Sequence, residues 1–239
     1  MNVIKPNWPA PSHVKAYTTV KHAWGNEYYH EIDDDLFAKE NQKLKTLLQL
    51  PHDPIWIKQK HTNIVIPAHH ENKYNIADAS YAHEADQICV VMTADCLPIL
   101  ICNQKGSHIA AIHAGWRGLS AGIIEATLTA LNQPPEELMV WLGPAISAKH
   151  YEVGCDVYQA FTAYDHASEN ALMSIKKGKW LANLYELAKI RLHAKGIHAI
   201  YGGNYCTYQQ KDLFFSYRRD QGKTGRMATL IWYHHIQPK

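Results

Sequence analysis

ICVVMTADCLPILICNQKGSHIAAIHAGWRG, residues 88–118, is the stretch that decides the fold of this 239-residue chain. Three short apolar runs follow one another in it, at 89–92, 97–102 and 109–112. Uninterrupted aliphatic runs of this length are typical of strands that are buried on both faces of a sheet. After Gly115 the apolar residues recur at helical spacing, so a helix is expected to follow the third strand.

The same two patterns continue on both sides of this stretch and predict an α/β protein. Helical spacing is seen at 36–50, 123–131, 157–161 and 181–192, and apolar runs predict strands at 55–57, 64–66, 139–142, 199–201, 213–216 and 227–232. No repeat or linker divides the chain, so we expect one domain over residues 1–239, a mixed β-sheet core covered by helices, with about residues 1–20 as an N-terminal extension.

Composition excludes several classes of protein. Hydrophobic residues make up 46% and charged residues 19%, which argues against a disordered chain. The net charge of +2 argues against a nucleic acid or a membrane surface as partner. Asp95 interrupts the most apolar segment well short of a membrane span, and residues 1–25 lack the apolar core of a signal peptide. The five cysteines are odd in number and have no short paired spacing, which argues against a disulfide framework and favours a reducing compartment. We expect a cytoplasmic monomer.

Three residues with metal-binding side chains lie where predicted strands give way to turns. They are His61 in QKHT, Cys96 in TADCLP and His113 in HAGWRG. Their separations are too long for a zinc knuckle and predict a site that tertiary structure assembles. Two imidazoles and a thiolate are a ligand set for catalytic zinc, which keeps a fourth position open, and copper would accept the same ligands. Residue types alone leave open the alternative of two buried histidines and an inert cysteine.

Several motifs carry a resemblance to a known family. HAGWRG at 113–118, TADCLP at 93–98, GPAI at 143–146, YEVG at 151–154, and FFSYRRD with TGRMA within 214–228 are similar to motifs of the YfiH family. This family was long called laccase-like or multicopper polyphenol oxidase-like and is now understood as purine nucleoside phosphorylases and adenosine deaminases. The resemblance covers roughly residues 41–232. It implies a single α/β domain.

For the site, the resemblance implies a zinc ion with ligands that fall on His61, Cys96 and His113, which would also be the catalytic residues. The chain departs from the family in the flanks of the first ligand, where Gln-Val-His-Gly is common and Lys60 and Thr62 stand here. Asn183 and Asn204 occupy positions where relatives often have aspartate, and we expect both changes to be structural or peripheral.

Four further residues are candidates for substrate binding: Asn41, Gln59, Arg117 and Arg218. The first two match polar positions of the family. Arg117, near a predicted helix start, is suited to bind phosphate, with an ion pair to a residue such as Asp95 as the alternative.

Arg218 belongs to a basic cluster with Arg219 and Arg226. This cluster suits phosphate or a ribose phosphate, although a solvated or ion-paired strand end fits the pattern equally well. Asp95, beside Cys96, is expected either to orient a ligand histidine or to cap a turn. The other four cysteines are expected to be buried small hydrophobes: Cys89, Cys102, Cys155 and Cys206.

The resemblance predicts a zinc-dependent enzyme that splits adenosine, inosine or methylthioadenosine with phosphate into the base and ribose 1-phosphate, and that deaminates adenosine. Its partners would be a purine nucleoside and phosphate. A cysteine hydrolase or amidase, with Cys96 as nucleophile, His61 or His113 as base and a cell-wall precursor among its substrates, uses the same residues and stays open. A copper-dependent polyphenol oxidase is disfavoured because the chain has no His-x-His element. A metal-buffering module is the fourth alternative.

Overall fold

Residues 2–25 and 34–234 are described by a computed structural model of the chain. The strands are β1 (Val3–Ile4), β2 (Val14–Thr19), β3 (Val65–Pro67), β4 (Ala79–Ala82), β5 (Cys89–Thr93), β6 (Leu97–Asn103), β7 (Ile109–Ala114), β8 (Leu138–Leu142), β9 (Glu152–Val153), β10 (Leu172–Lys176), β11 (Lys179–Ala182), β12 (Ile200–Gly202) and β13 (Met227–Tyr233). The α-helices are α1 (Asp34–Leu48), α2 (Trp116–Ser120), α3 (Ile123–Leu131), α4 (Cys155–Thr162) and α5 (Leu184–Ala194).

A six-stranded sheet in the order β12-β8-β6-β7-β4-β3 forms the centre of the fold. Its central hairpin, β6 and β7, is antiparallel, whereas the pairs β12–β8 and β3–β4 are parallel, so the sheet is mixed as predicted. Every residue of β6 and β7 is buried. Ile99 and Ile101 point toward helices α3 and α5, while Leu100 and Cys102 point to the opposite face, because neighbouring strand residues face opposite ways.

A second sheet, in the order β1-β2-β13-β5, packs against that opposite face. Two of its four strands, Val3–Ile4 and Val14–Thr19, come from the segment expected to be an N-terminal extension, so this segment is an integral part of the sheet. Its outer face is covered by Leu44 of α1 and by Trp24 and Trp56, whose rings stack with centroids 5.4 Å apart. The fold therefore has four successive layers: helices α3 and α5, the six-stranded sheet, the four-stranded sheet, and helix α1.

Four local predictions were wrong: two strands, the burial of one cysteine and the start of one helix. Residues 55–57 contain an isolated bridge at Ile55 rather than a strand, and residues 213–216 have irregular backbone, although both runs are largely buried and for that reason apolar. Cys155 is exposed at the first position of α4. The predicted helix at 181–192 begins at Leu184, because Asn183 caps it by accepting a hydrogen bond from the Glu186 N–H. Asparagine and aspartate cap helices about equally well, so either residue would satisfy the start of this helix.

No helix among the described residues is both long and apolar enough to cross a membrane.

The smaller sheet β10-β11-β9 lies beside α4 and closes one side of the core. Between β5 and β6 the chain crosses from the four-stranded to the six-stranded sheet, and residues 94–96 make this crossing. This crossing positions the candidate site.

Candidate active site

His61, Cys96 and His113 come together where the two sheets meet. Their ligand atoms all lie within 4.8 Å of one another, and Cys96 Sγ is 3.7 Å from His61 Nε2. The β6–β7 register explains why two of the three residues are close. It pairs Leu97 with Ala114 and so places Cys96 and His113 at adjacent strand ends. The predicted triad is thus one cluster.

Asp78 holds the two histidines in place. This side chain is fully buried at the start of β4, and its Oδ1 lies 2.7 Å from Nδ1 of His113. The same carboxylate accepts hydrogen bonds from the main-chain N–H groups of Lys60, His61 and Thr62, and from the Thr62 hydroxyl at 2.7 Å. These bonds keep His61 in a left-handed conformation with φ of 60°. Asp78 therefore orients one ligand through its ring and the other through its backbone.

Sequence reasoning missed Asp78. The available signal was an acidic residue directly before the small-residue strand ASYA, at 79–82, where a core position would ordinarily be apolar. Asp95, which was considered for this role, instead accepts hydrogen bonds from Thr207, Ser216 and Arg218. Of the two roles that the sequence left open for Asp95, the structure therefore shows bonds to a distant loop rather than to a ligand histidine.

The electrostatics of the cluster favour a thiolate. Burial raises the pKa of Cys96, but the neighbouring His113 and His61 lower it more, and it falls to about 6. Burial lowers the pKa of His113, while Cys96 and Asp78 raise it to about 9. Burial raises the pKa of Asp78, and its bonds from His113 and Thr62 bring it down to about 2.

This donor set fits a metal ion. Because Asp78 takes Nδ1 of His113, the other ring nitrogen is left for the cluster, and a thiolate and two imidazoles are the ligands that zinc and copper prefer. A cation bound here would displace the proton of His113, as metal binding to imidazole requires.

Two glycines of HAGWRG keep room around the cluster. A Cβ on Gly115 would lie 2.5 Å from Cδ2 of His61 and 3.1 Å from Sγ of Cys96. A Cβ on Gly118, in α2, would lie 2.6 Å from the Thr62 carbonyl oxygen. The motif therefore supplies a ligand together with the close packing that this ligand set needs.

Replacing Gly115 with alanine is expected to weaken metal binding about 5- to 140-fold, because overpacking of a tight site costs about 1–3 kcal/mol and 1.4 kcal/mol is a factor of ten. The measurement is a competition titration with a chromophoric chelator. Gly154→Ala is the control, since its new methyl group would meet only the Asp156 side chain. Equal affinity in the two variants and the wild type would contradict the prediction.

A cavity of about 710 Å³ opens in front of the triad, and cations and aromatic rings line it. The Arg117 guanidinium lies 4.4 Å from the Trp116 ring centroid, and that of Arg218 lies 5.3 Å from the Tyr151 ring. Arg226 lies 5.9 Å from the ring of Tyr217. The aromatic rings thus support all three arginines at the cavity.

The proposed substrate-binding residues divide into two groups. Arg117 and Arg218 line the cavity, as does Gln59, whose amide is engaged twice with the main chain of Met92 at 2.7 Å. Asn41 does not line it: its buried Oδ1 accepts a hydrogen bond from the Trp56 indole, so it supports the layer beneath α1.

Arg219 has a structural role in the loop that leads to β13. It donates to the carbonyl oxygens of Thr207, Tyr208 and Phe214 and pairs with Asp220. The alternative of an ion-paired group is therefore confirmed for this arginine.

Fold and site together define a class: a single-domain α/β protein with a candidate three-ligand metal centre at the meeting of two sheets. The profile described as "Multi-copper polyphenol oxidoreductase laccase" matches residues 19–234. The chain belongs to this laccase-like family, which includes the YfiH proteins.

Similar proteins agree over nearly the whole chain. A Haemophilus influenzae protein named purine nucleoside phosphorylase is 41% identical, covering 98% of this chain and 100% of that protein. Purine nucleoside phosphorylase YfiH of Escherichia coli is 42% identical, covering 96% and 98%. Among solved structures, a Neisseria meningitidis protein has a TM-score of 0.91 at 40% identity, covering 98% and 100%, and YlmD of Geobacillus stearothermophilus has 0.89 at 25%, covering 98% and 97%.

The family description names several copper ions, whereas the described residues contain one candidate metal site. Within residues 2–25 and 34–234, His61, Cys96 and His113 are the one group of three or more side chains placed to hold an ion. A multicopper oxidase needs several centres, so this part of the chain supports one metal ion.

Proposed function

We propose that the protein is a zinc-dependent purine nucleoside phosphorylase. The observation that carries the proposal is that the triad opens into the same cavity as two arginines suited to phosphate, Arg117 and Arg218. The names of the relatives supply the substrate class. The cavity beside this three-ligand site is lined by cations and aromatic rings, so it accommodates a nucleoside and an anion together.

His61, Cys96 and His113 would hold the ion. Zinc is favoured because a thiolate and two imidazoles leave a fourth position for water or substrate, and copper is the alternative metal for these ligands. When bound, zinc supplies Lewis acidity toward an oxygen of the substrates or of water.

Phosphorolysis forms a bond from a phosphate oxygen to C1′ of the ribose while the C1′–N9 bond breaks, and the departing purine takes up a proton. Arg117 and Arg218 are the residues to neutralise and orient the attacking phosphate, since guanidinium groups bind phosphate oxygens in pairs. Their positions over Trp116 and Tyr151 reduce the freedom that anion binding must remove. Gln59, whose amide is already engaged, is proposed to shape the cavity wall.

Deamination of adenosine is proposed for the same cavity. Here water adds at C6 and ammonia leaves, so the base and not the ribose must face the triad. Burial and the nearby Cys96 raise the pKa of Tyr151, so its hydroxyl stays protonated at neutral pH. Tyr151 therefore offers a neutral wall to either substrate.

We place this activity in a monomer in the cytoplasm. All five cysteines are free, which supports a reducing compartment, and three of them are buried.

A product assay tests the proposal. Purified protein with one zinc per chain is expected to convert adenosine to adenine only when phosphate is present. Deamination needs no phosphate, so inosine should form from adenosine in its absence. Liquid chromatography separates the products. Failure to release a purine base from adenosine, inosine or methylthioadenosine, together with failure to form inosine from adenosine, would overturn the assignment.

A cysteine hydrolase is the second candidate, because Cys96 Sγ lies 3.7 Å from a histidine nitrogen, as a nucleophile and its base would. Alkylation of Cys96 is expected to stop either reaction. A chelator separates them: it should abolish the zinc reaction, with recovery on adding zinc, and spare a cysteine nucleophile. Turnover that survives complete metal removal would favour the hydrolase.

A further inference from the structure

We propose that Asp95 is a positioning residue that ties the segment carrying Arg218 to the crossing between the two sheets, and thereby holds the anion-binding end of the cavity against the metal centre. The inference rests on the proposed function for the identity of the anion, phosphate. Asp95 contacts neither histidine of the triad in the way Asp78 does, so its role is separate from ligand orientation.

The contacts of Asp95 reach a distant part of the chain. It is buried, with 7% of its surface exposed, and stands directly before Cys96. One carboxylate oxygen accepts from the Thr207 hydroxyl at 2.5 Å, and the other from the Ser216 hydroxyl at 3.0 Å and the Arg218 main-chain N–H at 2.7 Å. A buried carboxylate requires such bonds, and all three donors here belong to one loop.

The backbone at Asp95 is also specified by its surroundings. Its φ of 90° lies in the left-handed region that side chains other than glycine rarely adopt. The Ile146 N–H donates to the Asp95 carbonyl oxygen at 3.0 Å, which fixes the residue from the side of β8. Such a conformation persists only where several contacts determine it, and strained residues of this kind concentrate at functional sites.

Arg218 depends on this tie for its position. Its main-chain N–H is bound to Asp95, and its guanidinium lies over Tyr151 while donating to the Glu152 carbonyl oxygen at 3.1 Å. Without the carboxylate the guanidinium would keep its contacts near β9, but its Cα would no longer be fixed relative to Cys96.

The loop has a second support that does not involve Asp95. The Arg219 guanidinium links the carbonyl oxygens of Thr207 and Tyr208 to that of Phe214. The loop is therefore expected to stay folded when Asp95 is replaced, which separates positioning from folding.

The test compares Asp95→Ala, Ser216→Ala and Arg218→Ala with the wild-type protein, each loaded with zinc. Inorganic phosphate binding is measured by calorimetry, and the KM for phosphate by the product assay. Asp95→Ala is expected to raise both constants about tenfold or more, with zinc content and the KM for nucleoside changed less than twofold. Ser216→Ala, which keeps the carboxylate, is expected to show a smaller increase and guards against a folding defect in Asp95→Ala.

The double variant Asp95→Ala with Arg218→Ala gives the decisive comparison. If Asp95 acts through Arg218, the double variant should bind phosphate no more weakly than Arg218→Ala alone. Additive losses would overturn the proposal, and so would loss of zinc from Asp95→Ala, which would show that the carboxylate supports Cys96 instead.

Hydrogen exchange supplies a readout independent of catalysis. Amides of residues 214–219 should exchange faster in Asp95→Ala and unchanged in Arg218→Ala, and equal protection in both would contradict the tie. If the wild-type protein phosphorolyses no purine nucleoside, the proposed function fails, whereas phosphate binding and exchange still decide the role of Asp95.

Discussion

Replacing Cys96 with alanine is expected to abolish metal binding and to lower kcat/KM for phosphorolysis by at least about 10³-fold. Loss of a residue that only orients a ligand typically costs about 10–100-fold, and loss of the sole thiolate ligand must cost more. The variant should remain folded, because Cys96 is only partly buried and its neighbours Asp95 and Leu97 keep their own contacts. Metal content by elemental analysis and turnover of adenosine are the measurements.

Cys155→Ala is the matched control for removal of a thiol. Cys155 is exposed at the start of α4 and its Sγ has one long contact to the Gly178 carbonyl oxygen, so the control should keep both metal and turnover. A Cys96→Ala protein that carries one zinc per chain and turns over adenosine at the wild-type rate would refute the metal centre.

The sequence was informative about the central hairpin for a clear physical reason. Strands buried on both faces must be apolar throughout, so β6 and β7 appear as continuous runs, and the ligands follow at their ends. Apolar runs at 55–57 and 213–216 have the same composition but are buried by irregular backbone, so no periodicity distinguishes them. Residue types marked His61, Cys96 and His113 as candidate ligands but left buried, inert residues as an alternative, and the resemblance to the YfiH family selected the ligand interpretation.

Asp78 and Asp95 were harder to interpret because each acts on residues far away in sequence. Asp78 bonds to a histidine on β7 and to the loop before β3, and Asp95 bonds to donors more than a hundred positions away. A single acidic residue carries no information about which loop will satisfy it, so only the tertiary structure separates their roles. Asn41 shows the reverse, since a polar residue at a family position bonds to an indole within the core.

The second large effect is expected at Asp78. Replacing it with alanine should weaken zinc binding about 10–100-fold, because His113 loses the acceptor that sets its ring and His61 loses the bond that sets its backbone. It should also lower the free energy of unfolding by about 3–5 kcal/mol, since a buried partner is removed and several donors are left unsatisfied.

Asp86 offers the matched comparison for this prediction, because its carboxylate forms the same kind of pair with His234 at 2.9 Å but near the surface. The side chains of that pair are 28% and 44% exposed, against 0% and 5% for Asp78 and His113. Asp86 has a left-handed φ of 63°, which asparagine tolerates better than alanine, so the control is Asp86→Asn. An exposed pair contributes about 0–1 kcal/mol, so this variant should hardly change urea unfolding or zinc affinity. If both variants lose equal stability and neither loses zinc affinity, Asp78 is an ordinary core contact and the metal centre does not depend on it.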